Sequence, residues 1–540
     1  MSIKLGNNDS LGSRLVVAFI ASMLGVSVGA QTVERPKLVV GIVVEGLQEE
    51  YIDLLRRHFS DGGFNRLITN GVVIANADYG TAVDPAAATA MIFTGAAPAR
   101  NGIPAAEVFD RNTLRPADVL NDPAVLGNFT DITVSPRALA VTTIADEARI
   151  AGSGVTYAYA IAPDPTQAVI MAGHAGNSAI WLNDRNANWA SSSFYAETPT
   201  EIGLRNRMQP LRSRMDTMQW TPLLPADRYL LLPDHLTHYP FRYVYRPGTD
   251  TEKIAMLKNS PAVNAEVTSM AISHLDNLKL GTHEGGSDIL SLAYTVEPFA
   301  YSKNTDNRYE LQDAYYRLDA NLAQLFNSID TKVGLNNTLI FLAATPPPST
   351  SRRDDERWNL PFGEFSTRKA MSLLNMYLMA MYGNGDWVTG YHRGDFYLNH
   401  KLIKDRNKNL TEVRREVASF LQRMSGVSSA FTIDDILGGE VGTNGDAEKR
   451  NTDVATAGDV RIAVTPGWKI TDDFNNRPER PNQVVRAASA TAPVFIMAPD
   501  VDPRRIDTPV DIRVVAPTVT RLMRIRSPNA ASLPPLKLTR

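Results

Sequence analysis

One apolar run near the amino terminus limits the possible folds more than any other feature of this 540-residue sequence. Leu38 to Val44 is almost continuously apolar and rich in β-branched side chains, which is typical of a central parallel strand buried on both faces. Similar runs occur at 338–342 and 493–497. A helical pattern at 313–329 lies between the first two runs, with Leu318, Leu322, Leu325 and Phe326 on one face. Strands that alternate with helices predict an α/β fold, in which helices sandwich a mostly parallel central sheet. In such a sheet, binding and chemistry are expected in the loops that follow the carboxyl ends of the strands.

Residues 1–30 are typical of a secretory signal peptide and are not expected to be part of the fold. Lys4 and Arg14 flank a polar lead, an apolar stretch follows at 15–28, and small residues continue to Ala30. We therefore predict cleavage after Ala30, a periplasmic or extracellular location, and a mature chain covering residues 31–540. An uncleaved membrane anchor is the alternative, although the apolar stretch is short for a membrane span.

The amino-acid composition limits the kinds of ligand and partner that the chain is expected to bind. The chain contains no cysteine, which excludes disulfides, thiolate metal sites and the lipid-bearing cysteine of an exported lipoprotein. No later stretch approaches the roughly 18 apolar residues of a membrane span, so no transmembrane segment is expected after signal cleavage. The net charge is −3 and no basic stripe occurs, so a nucleic-acid partner is not expected. Membrane attachment would have to come through a protein partner.

Short motifs over nearly the whole mature chain resemble the type I phosphodiesterase and alkaline phosphatase family. In chain order the motifs are Arg35 to Val44, Ile92-Phe93-Thr94-Gly95, Met171-Ala172-Gly173-His174, Tyr316-Arg317-Leu318-Asp319, Thr465-Pro466-Gly467-Trp468 and Ala516-Pro517-Thr518. The resemblance implies an alkaline phosphatase-like domain over residues 31–540. Within it, the stretch at about 176–250 is rich in Asn, Ser, Pro, Trp and Tyr, and we predict that it is an inserted cap over the sheet.

The resemblance also implies two zinc ions held by Asp and His at strand ends, which activate a Thr or Ser nucleophile. The matching ligand positions are largely degenerate in this sequence. Glu45 stands where the first Asp ligand is expected, and its longer side chain moves the carboxylate by roughly an ångström. The other matching positions carry Pro298, Ser302, Thr345 and Pro346, and no His occurs after His400. The sequence therefore predicts that the chain holds no metal cofactor.

The positions implied for phosphate chemistry are equally altered. Pro85 stands at the nucleophile position and has neither a hydroxyl nor an N–H, while Thr81 and Thr89 are substitutes only if the loop is remodelled. Ala106 replaces the Asn implied to bind phosphate. Asp164 and Thr166 replace the implied Lys and Arg, and an acid at such a position repels phosphate. No catalytic or substrate-binding residue is therefore predicted.

The remaining histidines do not suggest a replacement site. His235 and His238 are three residues apart, a spacing that suits one metal on a helix, but Pro233 and Pro240 flank them. His174 lies in a motif that the resemblance covers, so a structural or pocket-lining role is expected for it.

Two functions follow from these observations. The first is a pseudoenzyme that acts as a binding or scaffold protein of the bacterial envelope, with an envelope protein as its partner. Aromatic residues of the proposed insertion would suit a partner surface, although ordinary packing explains them equally well: Trp181, Trp189, Phe194, Tyr195 and Trp220. The second is a metal-dependent phosphomonoesterase or phosphodiesterase with a remodelled site.

Overall fold

A computed structural model of the chain describes residues 35–196, 198–230, 240–246, 248–302, 307–347, 350–351, 363–442, 445–471, 483–485 and 490–539. The signal peptide predicted at 1–30, with its cleavage site at Ala30, lies outside these residues, as do His235 and His238. Within the described residues, no helix combines the length and the apolar character that crossing a membrane requires.

The strands of the described chain are short, and eleven of the twenty-three lie in one sheet. In chain order they are β1 Leu38–Glu45, β2 Val72–Asp78, β3 Glu107–Asp110, β4 Arg115–Asp118, β5 Gly127–Asn128, β6 Ala158–Ala162, β7 Ser178–Leu182, β8 Trp189–Ser192, β9 Gln219–Trp220, β10 Tyr243–Val244, β11 Asp288–Thr295, β12 Thr338–Ala344, β13 Thr350–Ser351, β14 Glu364–Ser366, β15 Val388–His392, β16 Asp395–Leu398, β17 Val427–Thr432, β18 Val460–Val464, β19 Lys469–Thr471, β20 Gln483–Val485, β21 Thr491–Met497, β22 Arg504–Ile506 and β23 Val510–Asp511.

Helices cover both faces of this sheet, and others contribute to a second apolar core that is described below. In chain order they are α1 Glu49–Leu55, α2 Phe64–Asn70, α3 Pro85–Thr94, α4 Pro98–Asn101, α5 Ile144–Ala151, α6 Pro165–Ala172, α7 Thr200–Met208, α8 Leu211–Met215, α9 Asp250–Lys258, α10 Pro261–Asn277, α11 Arg308–Lys332, α12 Thr367–Tyr382, α13 His400–Asp405, α14 Leu410–Gln422, α15 Ile433–Gly438, α16 Gly445–Asn451 and α17 Val515–Leu522.

The main sheet has the strand order β22-β2-β21-β12-β1-β11-β6-β7-β8-β5, with β23 also paired to β2. β1 lies near the middle and pairs in parallel with both β11 and β12. β6 and β7 continue the parallel arrangement on the β11 side. The predicted α/β fold with a mostly parallel central sheet is thus confirmed. The run at 493–497 differs in direction, because β21 is antiparallel to both β12 and β2.

Burial explains why the apolar runs are so good a guide to the central strands. Every side chain of β1 from Leu38 to Val44 is buried, with the glycine at 41 packed under Phe341 and Phe93. On α11, the four apolar residues predicted to share one face are all fully buried: Leu318, Leu322, Leu325 and Phe326. Transfer of apolar area out of water is therefore the main force that holds these helices on the sheet.

The stretch predicted as an insertion, 176–250, has a different structure from the one expected. Its first part supplies β7 and β8 to the main sheet itself. Of the five aromatic residues of this stretch named above, four are buried in the main core. The fifth, Phe194, is 37% exposed. The four buried side chains therefore pack the fold.

A second apolar core lies instead between residues 365 and 464. It is formed by Phe365, Leu374, Leu378, Trp387, Phe396, Val417, Leu421, Val460 and their neighbours. β15, β16, β18 and β17 form its four-stranded sheet. We call these residues the second core. Its signal in the sequence is ordinary helix and strand periodicity, which gives no sign that the segment packs apart from the main sheet.

The hairpin β3–β4 joins the second core to the main one. Phe109 of the hairpin stacks on Tyr397, with ring centroids 4.1 Å apart. Arg111 donates to the carbonyl of Ala457 and pairs with Asp459, whose carboxylate is fully buried. Asp459 also accepts hydrogen bonds from the second core itself, so one carboxylate links both parts.

Candidate functional site

The candidate site lies at the carboxyl ends of β1, β11, β12 and β6. Glu45 ends β1, opposite Thr295 of β11. Thr345 directly follows β12, and its N–H donates to the carbonyl of Val44 at 3.0 Å. The parallel pairing of the central strands therefore brings the positions 45 and 345 side by side, as the α/β architecture requires.

Acidic side chains surround Glu45. The side-chain amide of Gln167, on α6, donates a hydrogen bond to Glu45 Oε1. Burial and, after it, the negative charges of Glu297, Asp164 and Asp84 raise the pKa of Glu45 well above its usual range. This edge of the sheet is therefore unfavourable for a phosphate group, because an added anion would meet several carboxylates.

Pro85 is the first residue of α3, and Asp84 is its N-cap. Asp84 Oδ1 accepts hydrogen bonds from the N–H groups of Ala86, at 2.9 Å, and Ala106, at 3.0 Å. Its other oxygen, Oδ2, lies 2.7 Å from a guanidinium nitrogen of Arg393. The structure thus brings positions 85 and 106 together, and the group between them is a carboxylate.

The two neighbouring threonines do not replace the missing nucleophile. Thr89 is fully buried inside α3, and its hydroxyl donates to the carbonyl of Pro85 at 2.8 Å. The hydroxyl of Thr81 accepts a hydrogen bond from the Asn451 amide at 2.7 Å. Both hydroxyls therefore serve local structure.

The positions implied for phosphate-gripping cations carry an internal ion pair instead. Asp164 Oδ1 lies 2.7 Å from the ammonium group of Lys258, which also contacts Asp184. Burial alone lowers the pKa of Lys258, but the charges of Asp164 and Asp184 outweigh it and raise the pKa above the usual value. Thr166 is buried in α6. The nearest cation to these positions is thus already neutralised by two carboxylates.

The other four positions at which the resemblance implies metal ligands differ in their surroundings. Pro298 is exposed, and the hydroxyl of Ser302 donates to the buried Glu310 at 2.9 Å. Thr345 and Pro346 are buried after β12. The Thr345 hydroxyl and Gln167 Oε1 are buried oxygens for which the described residues provide no hydrogen-bond partner.

Several side chains at this edge are not evident from the sequence: Gln167, Glu297, Lys258, Asp184 and Arg393. Glu297 is adjacent to a predicted ligand position, and that proximity is the signal that could have found it. The sequence His392-Arg393-Gly394-Asp395 indicates a tight hairpin turn. It gives no sign that Arg393 reaches Asp84, because that contact depends on how the second core packs.

Comparison with known proteins shows which family this chain resembles over most of its length. The sequence profile described as type I phosphodiesterase / nucleotide pyrophosphatase matches residues 39–488. Alkaline phosphatase PafA of Elizabethkingia meningoseptica is 24% identical over 542 residues, covering 96% of both chains. Alkaline phosphatase PhoV of Synechococcus elongatus is 25% identical over 539 residues, covering 94% of this chain and 93% of the relative. The crystal structure of wild-type PafA, 23% identical, covers 94% of this chain and 99% of its own with a TM-score of 0.80.

The expectation that the chain holds no metal cofactor is wrong, because the family to which the chain is related points to one. Two relatives that align over nearly the whole chain are alkaline phosphatases, a class that uses zinc, so the family points to a metal cofactor. The residues described do not fit the two-zinc centre that the resemblance implies. Glu45 is the one carboxylate at an implied ligand position, and the described residues contain no group of three His, Asp or Glu side chains that could hold a metal ion.

Proposed function

The chain belongs to the type I phosphodiesterase / nucleotide pyrophosphatase family, and from this premise we propose that it is a pseudoenzyme, exported to serve as a binding or scaffold protein of the bacterial envelope. The observation that carries the proposal is the amino terminus of α3. Pro85 begins the helix where the family resemblance implies a hydroxyl nucleophile, and Asp84 beside it is held by Ala86, Ala106 and Arg393.

Electrostatics supports the same conclusion independently of the nucleophile. Asp164 stands where the resemblance implies a cation, and Lys258 nearby is paired with two carboxylates. A phosphate ester has two or more anionic oxygens to satisfy, and stabilising its transition state requires positive charge or donors aimed at them. This edge of the sheet carries an excess of negative groups and therefore disfavours both the ester and its transition state.

Export is part of the proposal and rests on the amino-terminal sequence. The charged lead, the apolar stretch at 15–28 and the small residues before Gln31 are the features that a signal peptidase recognises. An exported chain without cysteine cannot carry a lipoprotein anchor at its amino terminus. The proposed partner is therefore a protein of the envelope.

Turnover of phosphate esters tests the proposal directly. The mature protein would be assayed with aryl phosphate monoesters and diesters in buffer supplemented with zinc, so that metal supply does not decide the result. PafA assayed in parallel serves as the active control. We expect hydrolysis at the rate of the buffer blank, whereas zinc-dependent turnover abolished by a chelator would refute the pseudoenzyme proposal.

The second candidate is a metal-dependent phosphomonoesterase or phosphodiesterase with a remodelled site. Two observations favour it: the family match and the two unpartnered buried oxygens, Gln167 Oε1 and Thr345 Oγ1. Together with Glu45, these atoms are oxygen donors of the type that hard cations prefer. The turnover assay would be repeated with magnesium and with manganese in place of zinc. Metal-dependent turnover would favour this candidate, and its absence would favour the first.

A further inference from the structure

Three hydrogen-bond donors from three parts of the chain converge on the Asp84 carboxylate. The first is the N–H of Ala86 in the first turn of α3. The second is the N–H of Ala106, in the loop between α4 and β3, and the third is the Arg393 guanidinium on the turn between β15 and β16. The Asp84 side chain is only 9% exposed. The donors therefore surround an anion that is largely removed from water.

The backbone holds Arg393 in place for this contact. Arg393 and Gly394 have φ angles of 50° and 91°, and they are the two central residues of the hairpin turn between His392 and Asp395. Two consecutive residues with positive φ are what the tight type I′ hairpin turn requires. The hairpin is itself fixed on β3, because the His392 ring bonds to the carbonyl of Glu107. The arginine thus projects from a defined turn and not from a long loop.

This set of donors has the composition of an anion-binding site. Free N–H groups at a helix amino terminus and the positive end of the helix dipole favour phosphate, sulfate or carboxylate. A guanidinium group adds a charge-assisted hydrogen bond. In this chain the position is occupied from within, by a side chain one residue before the helix begins.

We propose that Asp84 is a built-in anion, which fills the anion-binding position at this edge of the sheet and excludes inorganic phosphate from it. The proposal deepens the proposed function and rests on it, since it supplies the physical reason why phosphate does not bind. The same contact joins α3 of the main core to the second core through Arg393. Removing the carboxylate would leave three donors unsatisfied and open a pocket for a small anion.

Rescue by free anions tests this inference. Asp84→Gly removes the carboxylate while glycine remains a tolerated N-cap residue. We expect the variant to melt at a lower temperature than the wild type, and inorganic phosphate or formate to restore part of the loss by binding the folded state. The double variant Asp84→Gly/Arg393→Met should lose most of this rescue. Sodium chloride at equal ionic strength controls for general salt effects.

Asn409→Gly is a matched control, because Asn409 caps α14 through the N–H groups of Thr411 and Glu412. It should be destabilised without being rescued by phosphate. Equal rescue of both variants, or no rescue of Asp84→Gly, would overturn the inference. The wild type provides a test that does not depend on how the variants fold: calorimetry should detect no phosphate binding to it, and binding would also overturn the inference. Turnover plays no part in the anion-rescue measurement, so rescue of Asp84→Gly can succeed even if the wild type proves to hydrolyse esters.

Discussion

The ammonium group of Lys258 lies 2.7 Å from Asp164 Oδ1 and also contacts Asp184, although only 10% of the lysine side chain is exposed. Both aspartates are about half exposed, at 47% and 54%. The buried partner is therefore the cation, and the two solvated acids keep it charged. This difference in burial determines which substitutions in the ion pair should lower the stability of the protein most.

We expect the double variant Asp164→Asn/Asp184→Asn to be less stable than Lys258→Met. The double variant leaves a buried ammonium group without a counter-charge, which costs about 3 kcal/mol of unfolding free energy. Lys258→Met removes the buried charge and leaves two acids that water can solvate, so the loss should be about 1 kcal/mol or less. Urea unfolding at pH 7 measures both. The reverse order of stability would contradict this description of the ion pair.

Restoring a hydroxyl at position 85 should not restore catalysis. In Pro85→Thr the new hydroxyl would still stand beside Asp84 and near the acidic groups around Glu45, which oppose the approach of a phosphate ester. We expect the turnover of aryl phosphates, with zinc supplied, to stay at the buffer blank. Circular dichroism would establish that the variant is folded. A measurable rate for Pro85→Thr would mean that only the nucleophile is missing.

The stability of the protein should depend on pH through Glu45. Its pKa is raised in the folded protein, so between the unfolded value and the folded value the native state binds more protons than the unfolded state. This carboxyl therefore contributes a loss of stability as the pH rises above about 4.5. The advantage of Glu45→Gln over the wild type in unfolding free energy should grow between pH 5 and pH 8. A constant difference across this range would show that Glu45 is ionised in the fold.

Asp459 should show the opposite dependence. Burial raises its pKa, but hydrogen bonds from His400 and the N–H of Leu398, with the charge of Arg111, outweigh it and lower the pKa to about 2. The stability it contributes, about 2 kcal/mol, is complete above its usual pKa near 4 and is lost as the pH falls towards 2. Asp459→Asn should therefore lower the unfolding free energy at pH 7 and much less at pH 3. Asp434→Asn is a suitable control, because Arg414 pairs with both Asp459 and Asp434, and Asp434 is 40% exposed.

The proposed export predicts which residue is first in the mature protein. Residues 1–30 should be removed, and mass spectrometry of the protein from its native host should find Gln31 as the first residue. Intact Met1 in a membrane fraction would establish an uncleaved anchor instead.

The sequence predicts the centre of this fold better than its periphery, and the reason is burial. Strands such as β1 and β12 are covered on both faces, so their composition alone identifies them. For β7 and β8 the sequence predicts part of an insertion, because polar and aromatic residues surround these two short strands. At the site, local motifs are sufficient to predict that Pro85 stands at the nucleophile position and Glu45 at a ligand position. The pairing of Asp84 with Arg393 cannot be predicted in this way, because it depends on the docking of the second core and leaves no periodic pattern.

The strand order also limits when the chain can fold. β21 lies between β2 and β12, so a strand from the last tenth of the chain separates two earlier ones. The central sheet cannot close until residues 491–497 have emerged from the ribosome, and long-range pairing of this kind is slow. The part of the sheet around β2 therefore cannot complete its pairing until most of the chain has been synthesised. Such a delay would suit the export proposed above, because an exported chain must cross a narrow translocation channel before it folds.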